Sequence, residues 1–118
     1  MPRVTIDPRI RISRGGEIAF GPGKADLLTH IAETGSLRQA AVLMEMSYMR
    51  AWKLVQTMNA SFRRPLVIAE RGGAKGGGAQ LTDFGREVLG LYRDMERSSL
   101  KAMKQPWARM QAMMTSSR

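Results

Sequence analysis

Residues 36–62 constrain the fold more than any other part of the sequence. Residues 37–44 are rich in Ala and Leu and follow Ser36, which is suited to cap the free N–H groups at the start of a helix. Residues 45–46 form a short break, and Ser47 is placed to cap a second, longer and more basic helix. Two short helices joined by a tight turn predict a helix-turn-helix.

The second helix of this pair, expected to end at about Ser61, has two different faces. One face is apolar and is predicted to lie on the core, because its residues recur at helical spacing. The other face carries groups that suit base edges, since Arg and Lys can donate to guanine and Gln can pair with adenine. The core face contains Ala51, Val55, Met58 and Phe62, and the opposite side contains Met49, Trp52, Lys53 and Gln56, flanked by Tyr48 and Arg50.

A simpler interpretation makes this polar side the solvated face of an amphipathic helix. Met49 and Trp52 argue against it, because large apolar side chains on an exposed face usually have a partner. Packing of Trp52 at the edge of the helix is an equally open alternative.

The charge of the chain points to a polyanionic partner. Nineteen Lys and Arg residues against ten Asp and Glu residues give a net charge of +9. Such an excess in one small domain favours nucleic acid, with a solvated basic surface or a membrane surface as the alternatives. No apolar run reaches the ~18 residues of a membrane span, no signal peptide is recognisable, and there is no cysteine. We therefore expect a cytoplasmic protein with no membrane contact.

The N-terminal part predicts a β-hairpin followed by a helix. Apolar and polar residues alternate over residues 4–20, and Gly15 and Gly16 lie at the turn. Pro8 interrupts the first strand, which should therefore lie on an edge or carry a bulge. Residues 24–34 have the apolar spacing of a helix, and His30, the only histidine, falls outside its apolar stripe. A lone histidine does not make a metal site, and none is predicted.

A glycine-rich stretch then separates two short strand patterns. Residues 66–70 and 80–81 are the strand candidates, and residues 71–79 between them carry Arg71 and Lys75. Glycine allows the backbone to approach a phosphate closely while the two cations neutralise it, so we interpret this stretch as the wing of a winged helix. A nucleotide-binding loop is disfavoured because no phosphate-loop motif matches, and a flexible linker is the remaining alternative.

The last part of the chain predicts a long helix that is capped by Thr82. Its mostly apolar face is longer than so small a core needs, which favours pairing with the same helix of a second copy. Pro106 is expected to end or kink this helix. We therefore predict a DNA-binding and dimerisation domain at residues 1–105 and a short tail at residues 106–118, which either extends the dimer contact or is disordered.

Three stretches together resemble the N-terminal DNA-binding domain of the ModE family of molybdate-responsive regulators, which is related to the LysR-type winged helix. They are GPGKADLLTHIAETGSLRQAA, MSYMRAWKLVQTMN and RGGAKGGGAQLTDFGREVLGLYRDM, at residues 21–41, 46–59 and 71–95. The resemblance implies a winged-helix fold, a homodimer and promoter binding. It points to Ser47, Tyr48, Arg50 and Trp52 on the recognition helix, and to Arg71, Lys75 and the wing glycines.

Molybdate sensing does not carry over in the same way. Sensing members of the family have C-terminal oxyanion-binding domains, whereas this sequence ends soon after the long helix. A molybdate site would then have to form at the dimer interface or come from another protein, so no cofactor is predicted.

Taken together, the sequence predicts a mainly α protein with small β elements: a winged helix-turn-helix with an N-terminal hairpin and a long C-terminal dimerisation helix. We expect a dimeric, sequence-specific regulator of transcription that binds double-stranded DNA at a pseudo-palindromic operator. The alternative is a winged-helix module for protein interaction that binds DNA only non-specifically. No catalytic arrangement is recognisable, and an enzyme is not expected. The predicted DNA-contacting residues are Ser36, Arg38, Ser47, Tyr48, Met49, Arg50, Trp52, Lys53, Gln56, Arg71, Lys75, Gly76, Gly77 and Gly78.

Overall fold

The fold is mainly helical, with two small antiparallel sheets. A computed structural model describes residues 3–69 and 78–115. The predicted α+β winged-helix class is confirmed. The elements in chain order are β1 (Ile12–Arg14), β2 (Glu17–Phe20), α1 (Pro22–Thr34), α2 (Leu37–Leu43), α3 (Tyr48–Ser61), β3 (Val67–Ala69), β4 (Ala79–Leu81) and α4 (Asp83–Ala112).

The predicted helix pair is present, and both serine caps are confirmed. Ser36 Oγ accepts a hydrogen bond from the amide of Gln39 at 3.1 Å, and Ser47 Oγ accepts one from the amide of Arg50 at 3.1 Å. These bonds satisfy amides that have no partner inside a helix. Glu45, in the break between α2 and α3, has a φ of 56°, a left-handed conformation that turns the chain sharply.

The N-terminal hairpin is shorter than predicted. Pairing is confined to β1 and β2, and residues 3–11 contain no strand. Pro8 has no N–H to donate, and the carbonyl of Ile10 instead accepts a hydrogen bond from the Tyr92 hydroxyl at 2.7 Å. Burial raises the pKa of Tyr92 above its usual value. Gly15 and Gly16, with φ of 58° and 87°, form the tight turn between the strands.

The second sheet joins the start of α2 to the start of α4. β3 pairs antiparallel with β4, so the return strand predicted from the sequence is confirmed. Gly78 forms a bridge with Ser36, and the amide of Ala79 donates to the Gly35 carbonyl at 3.1 Å. The base of this hairpin is therefore held against the turn between α1 and α2.

The core lies between the three helices of the N-terminal part and the first half of α4. Phe20 is at its centre, with its ring centroid 5.1 Å from that of Tyr92 and 6.0 Å from that of Phe62. Both aromatic pairs are edge-to-face, an arrangement that the quadrupoles of the rings favour. The other buried members are Ala25, Leu27, Leu28, Ile31, Leu37, Ala40, Ala41, Ala51, Val55, Met58, Leu66, Val67, Ala79 and Leu81.

Helix α4 begins at the predicted cap but ends later than expected. Thr82 Oγ1 accepts from the amide of Gly85 at 2.8 Å, and the helix continues for 30 residues, through Pro106. Of the two predicted effects of Pro106, an end or a kink, the end is therefore wrong, and residues 106–112 of the predicted tail are helical. Among the helices of the described ranges, none combines the length and apolar character of a bilayer span.

Gly85 lets the first turn of α4 touch the backbone of Leu66. The amide of Thr82 donates to the Leu66 carbonyl at 2.9 Å, and the Thr82 hydroxyl donates to the Pro65 carbonyl at 2.7 Å. A Cβ atom on Gly85 would overlap the Leu66 carbonyl oxygen, which is held in place by these bonds. Only glycine fits this contact without moving α4.

We therefore expect Gly85→Ala to lower the free energy of unfolding by about 3 kcal/mol, the upper range for overpacking. Gly90→Ala is the matched control, because a Cβ atom there would meet nothing within 4 Å in the same helix. It should raise the free energy of unfolding by about 0.5–1 kcal/mol through helix propensity. Urea unfolding at equal protein concentration measures both, and a similar effect of the two changes would contradict the close contact.

Candidate nucleic-acid interface

Helix α3 places its two predicted faces on opposite sides. Ala51, Val55 and Met58 are buried in the core, as their spacing predicted. On the opposite side, exposed residues provide two cations, an amide and a thioether within three turns of the capped N-terminus. These exposed residues are Met49, Arg50, Lys53 and Gln56.

Tyr48 and Trp52 belong to the edge of α3 rather than to its exposed face. Both are half-buried and pack against the core cluster, in line with the alternative in which Trp52 packs at the helix edge. Their rings stack with centroids 6.5 Å apart and an interplanar angle of 21°. The guanidinium of Arg38, in the first turn of α2, lies 4.8 Å from the centroid of the Tyr48 ring.

Of the predicted residues at the two serine caps and in the wing, Ser36 and Gly78 lie side by side. Ser47 is exposed at the start of α3, while Ser36 is half-buried at the start of α2. Gly78 lies beside Ser36 through their β-bridge, so the base of the second hairpin borders the helix-turn-helix. The other predicted wing residues, Arg71, Lys75, Gly76 and Gly77, lie outside the described residues.

Asn59 ties the end of α3 to β3, and it is absent from the residues predicted from the sequence. Its side-chain oxygen accepts from the amides of Leu66 and Val67 at 2.8 and 3.2 Å. Its side-chain nitrogen donates to the carbonyl of Val67 at 3.0 Å. A signal was present, because Asn59 follows the core residue Val55 by four positions. A polar residue at such a place indicates buried hydrogen bonds.

Comparison with known proteins identifies the helix-turn-helix. Residues 24–86 match the family model described as bacterial regulatory helix-turn-helix protein, lysR family. The chain belongs to this family.

The lysR-family chain is also similar to curated ModE proteins. It is 44% identical over 78 residues to the molybdenum transport protein ModE of Azotobacter vinelandii, covering 66% of this chain and 29% of that protein. It is 39% identical over 77 residues to the transcriptional regulator ModE of Haemophilus influenzae, covering 65% and 30%. It is 38% identical over 81 residues to the DNA-binding transcriptional dual regulator ModE of Escherichia coli K12, covering 69% and 31%.

The predicted resemblance to ModE regulators is confirmed by these matches. The matched part spans about 30% of the length of each of these relatives. Together with the family match, the relatives support a DNA-binding regulator of transcription.

Positive charge in this lysR-family chain extends beyond the predicted interface. Arg63 and Arg64 are exposed directly after α3. Arg14 is exposed nearby, where its Nη1 donates to the carbonyl of Ser61 at 3.3 Å. The guanidinium of Arg64 lies 5.9 Å from the centroid of the Phe84 ring. These arginines are absent from the residues predicted from the sequence, although the adjacent pair Arg63–Arg64 was a visible signal. They add cations at the C-terminal end of α3.

Titratable groups in the described ranges form no metal centre. Within residues 3–69 and 78–115, no group of three or more His, Asp and Glu residues could hold a metal ion. His30 is half-buried rather than fully on the surface, and its Nδ1 lies 3.4 Å from a carboxylate oxygen of Glu33 on the next turn. Arg93 is paired with Asp26 at 3.0 Å, which joins α4 to α1, and with Glu96 of its own helix at 2.9 Å.

Proposed function

We propose that this chain is a sequence-specific DNA-binding transcription regulator that acts as a homodimer on a pseudo-palindromic operator. The observation that carries the proposal is the exposed face of α3, where Arg50, Lys53 and Gln56 stand opposite a fully buried core face. The name of the Azotobacter vinelandii relative, a molybdenum transport protein, supports a link to molybdenum. The absence of catalytic activity and a cytoplasmic location remain predictions.

In this proposal α3 enters the major groove and its exposed side chains contact base edges. Arg50 and Lys53 donate to the guanine O6 and N7 atoms, and Gln56 pairs with adenine. Met49, 52% exposed, offers an apolar contact for a thymine methyl group. Ser47 and the N-terminal amides of α3 face a phosphate oxygen, because the positive end of a helix dipole favours an anion.

Residues outside α3 hold the backbone of the duplex. Ser36 and Arg38 contact the phosphates beside the major groove, and Gly78 allows close approach of the chain at the base of the wing. Arg71, Lys75, Gly76 and Gly77 complete the wing contact with flanking phosphates. Such contacts set orientation and affinity, whereas base contacts set the sequence preference.

The dimer is proposed to form along α4. Leu91 and Met95, one turn apart, are 57% and 40% exposed, although they lie on the apolar face of the helix. They line an apolar groove of about 170 Å³ together with Ile12 of the hairpin and the buried Phe20 and Tyr92. An exposed apolar stripe on a long helix fits a two-fold partner, which presents the same stripe. Two copies would then present two recognition helices to two half-sites.

The division of labour between α3 and the wing can be measured with two alanine variants. The substrates are a duplex from the promoter region of the gene and a scrambled duplex of equal composition. Arg50→Ala should reduce the preference for the promoter duplex roughly 5- to 100-fold, the value of a bidentate base contact. Lys75→Ala should weaken binding to both duplexes equally. It should also reduce the slope of log K against log salt by about 0.9.

Fluorescence anisotropy across a salt series measures these effects, with Lys104→Ala as a charge-matched control on α4. Equal losses on both duplexes for Arg50→Ala would contradict base reading by α3. A defined oligomer that binds both duplexes weakly and equally would instead favour a protein-interaction module.

The dimer contact is tested by placing a charge on its apolar stripe. Met95→Glu should raise the dimer dissociation constant at least tenfold, because the carboxylate would lose water at the interface (about 1.4 kcal/mol or more). Val42→Glu is the control, since Val42 is 69% exposed on α2, away from α4. Sedimentation equilibrium measures the dimer dissociation constant of each variant. A wild-type chain that is monomeric at tens of micromolar would contradict this interface, and so would a dimer that Met95→Glu does not weaken.

A further inference from the structure

Arg38, Tyr48 and Trp52 form a stack that joins the first turns of the two helices of the helix-turn-helix. The Arg38 guanidinium lies 4.8 Å from the centroid of the Tyr48 ring, within the range of a cation–π interaction. The Tyr48 and Trp52 rings are nearly parallel, at 21°, with centroids 6.5 Å apart. Trp52 follows Tyr48 by one helical turn, and both rings pack against the core cluster.

The position of Tyr48 differs from that of the proposed base-reading residues. Met49, Arg50, Lys53 and Gln56 are exposed, whereas Tyr48 is half-buried. One face of its ring is already covered by a guanidinium, and its ring stacks on Trp52. A ring held in this way is suited to supporting a neighbouring group rather than to reaching into a groove.

The position of Arg38 is unfavourable for the helix that carries it. Arg38 lies in the first turn of α2, where the helix dipole disfavours a cation. An exposed arginine also has a large rotamer entropy, which is lost when it binds a partner. The electron-rich face of Tyr48 offsets both costs, because it attracts the guanidinium and restricts its motion before a phosphate binds.

We propose that Tyr48 is a positioning residue that holds the Arg38 guanidinium ready to bind one phosphate of the duplex. Trp52 fixes the orientation of the Tyr48 ring, so the order of contacts runs from the core through Trp52 and Tyr48 to Arg38. This inference rests on the proposed DNA binding and assigns Tyr48 a role other than base reading. It also explains why α3 carries an aromatic ring that faces a cation of α2.

A double-mutant cycle on the promoter and scrambled duplexes tests this role. Tyr48→Phe keeps the ring face and should bind both duplexes within twofold of the wild-type chain. Tyr48→Leu and Arg38→Ala should each weaken binding roughly fivefold on both duplexes, the size of one surface phosphate contact. The double variant should be no weaker than Arg38→Ala alone, because both changes remove the same contact.

The salt dependence of DNA binding distinguishes a positioning role of Tyr48 from a purely structural role, which would leave this dependence unchanged. Arg38→Ala should reduce the slope of log K against log salt by about 0.9, and Tyr48→Leu should move the slope in the same direction. Circular dichroism and the urea midpoint establish that each variant is folded. If Tyr48→Leu does not fold, Tyr48→Met replaces it, since it retains apolar bulk without a π face.

Additive losses in the cycle would overturn the proposal, as would a loss for Tyr48→Phe equal to that for Tyr48→Leu. A preference for the promoter duplex that falls with Tyr48→Leu but not with Arg38→Ala would make Tyr48 a base reader. If the wild-type chain does not bind DNA, the proposed function fails. If the wild-type chain binds and Arg38→Ala has no effect, only the present inference fails.

Discussion

The backbone of Leu66 is the point on which the arrangement of the recognition helix depends. Asn59, at the end of α3, accepts a hydrogen bond from its amide, and Thr82, at the start of α4, donates one to its carbonyl. Gly85 leaves room for α4 to approach this carbonyl directly. Because these bonds converge on one residue, α3, β3 and α4 cannot move independently without leaving buried polar groups unpaired. The exposed face of α3 therefore has a fixed orientation relative to the helix proposed to form the dimer.

Two surfaces of the unit formed by α3, β3 and α4 are exposed to solvent, and each fits a different partner. The basic face of α3 lies opposite its own core residues and fits a polyanion with hydrogen-bonding edges. The apolar stripe of α4 around Leu91 and Met95 fits a second copy, because exposed apolar area of this kind is costly in a single soluble chain. If both contacts form, this unit sets the spacing of the two recognition helices, and hence of the half-sites.

The sequence predicted what depends on local chemistry and missed what depends on distant partners. Helix caps such as Ser47 and Thr82 were predictable, because an N-cap bonds to an amide only three residues away. The role of Asn59 was not, since it depends on where β3 returns. The first strand was predicted too long because the bond between Ile10 and Tyr92 spans 82 positions. Pro106 lies inside α4 although an interior proline removes a hydrogen bond and crowds the carbonyl four residues earlier, and the residues that flank it are mostly strong helix formers.

We claim that α3 reads a DNA sequence, and the relative affinity of the wild-type chain for two duplexes is the measurement to make. Fluorescence anisotropy would compare a duplex from the promoter region of the gene with a scrambled duplex of equal composition, at one near-physiological salt concentration. We expect at least tenfold tighter binding to the promoter duplex, or about 1.4 kcal/mol, the lower range for one specific base contact. Equal affinity for both duplexes, with a steep fall as salt rises, would leave only the positive charge of the chain to explain its binding and would contradict the claim.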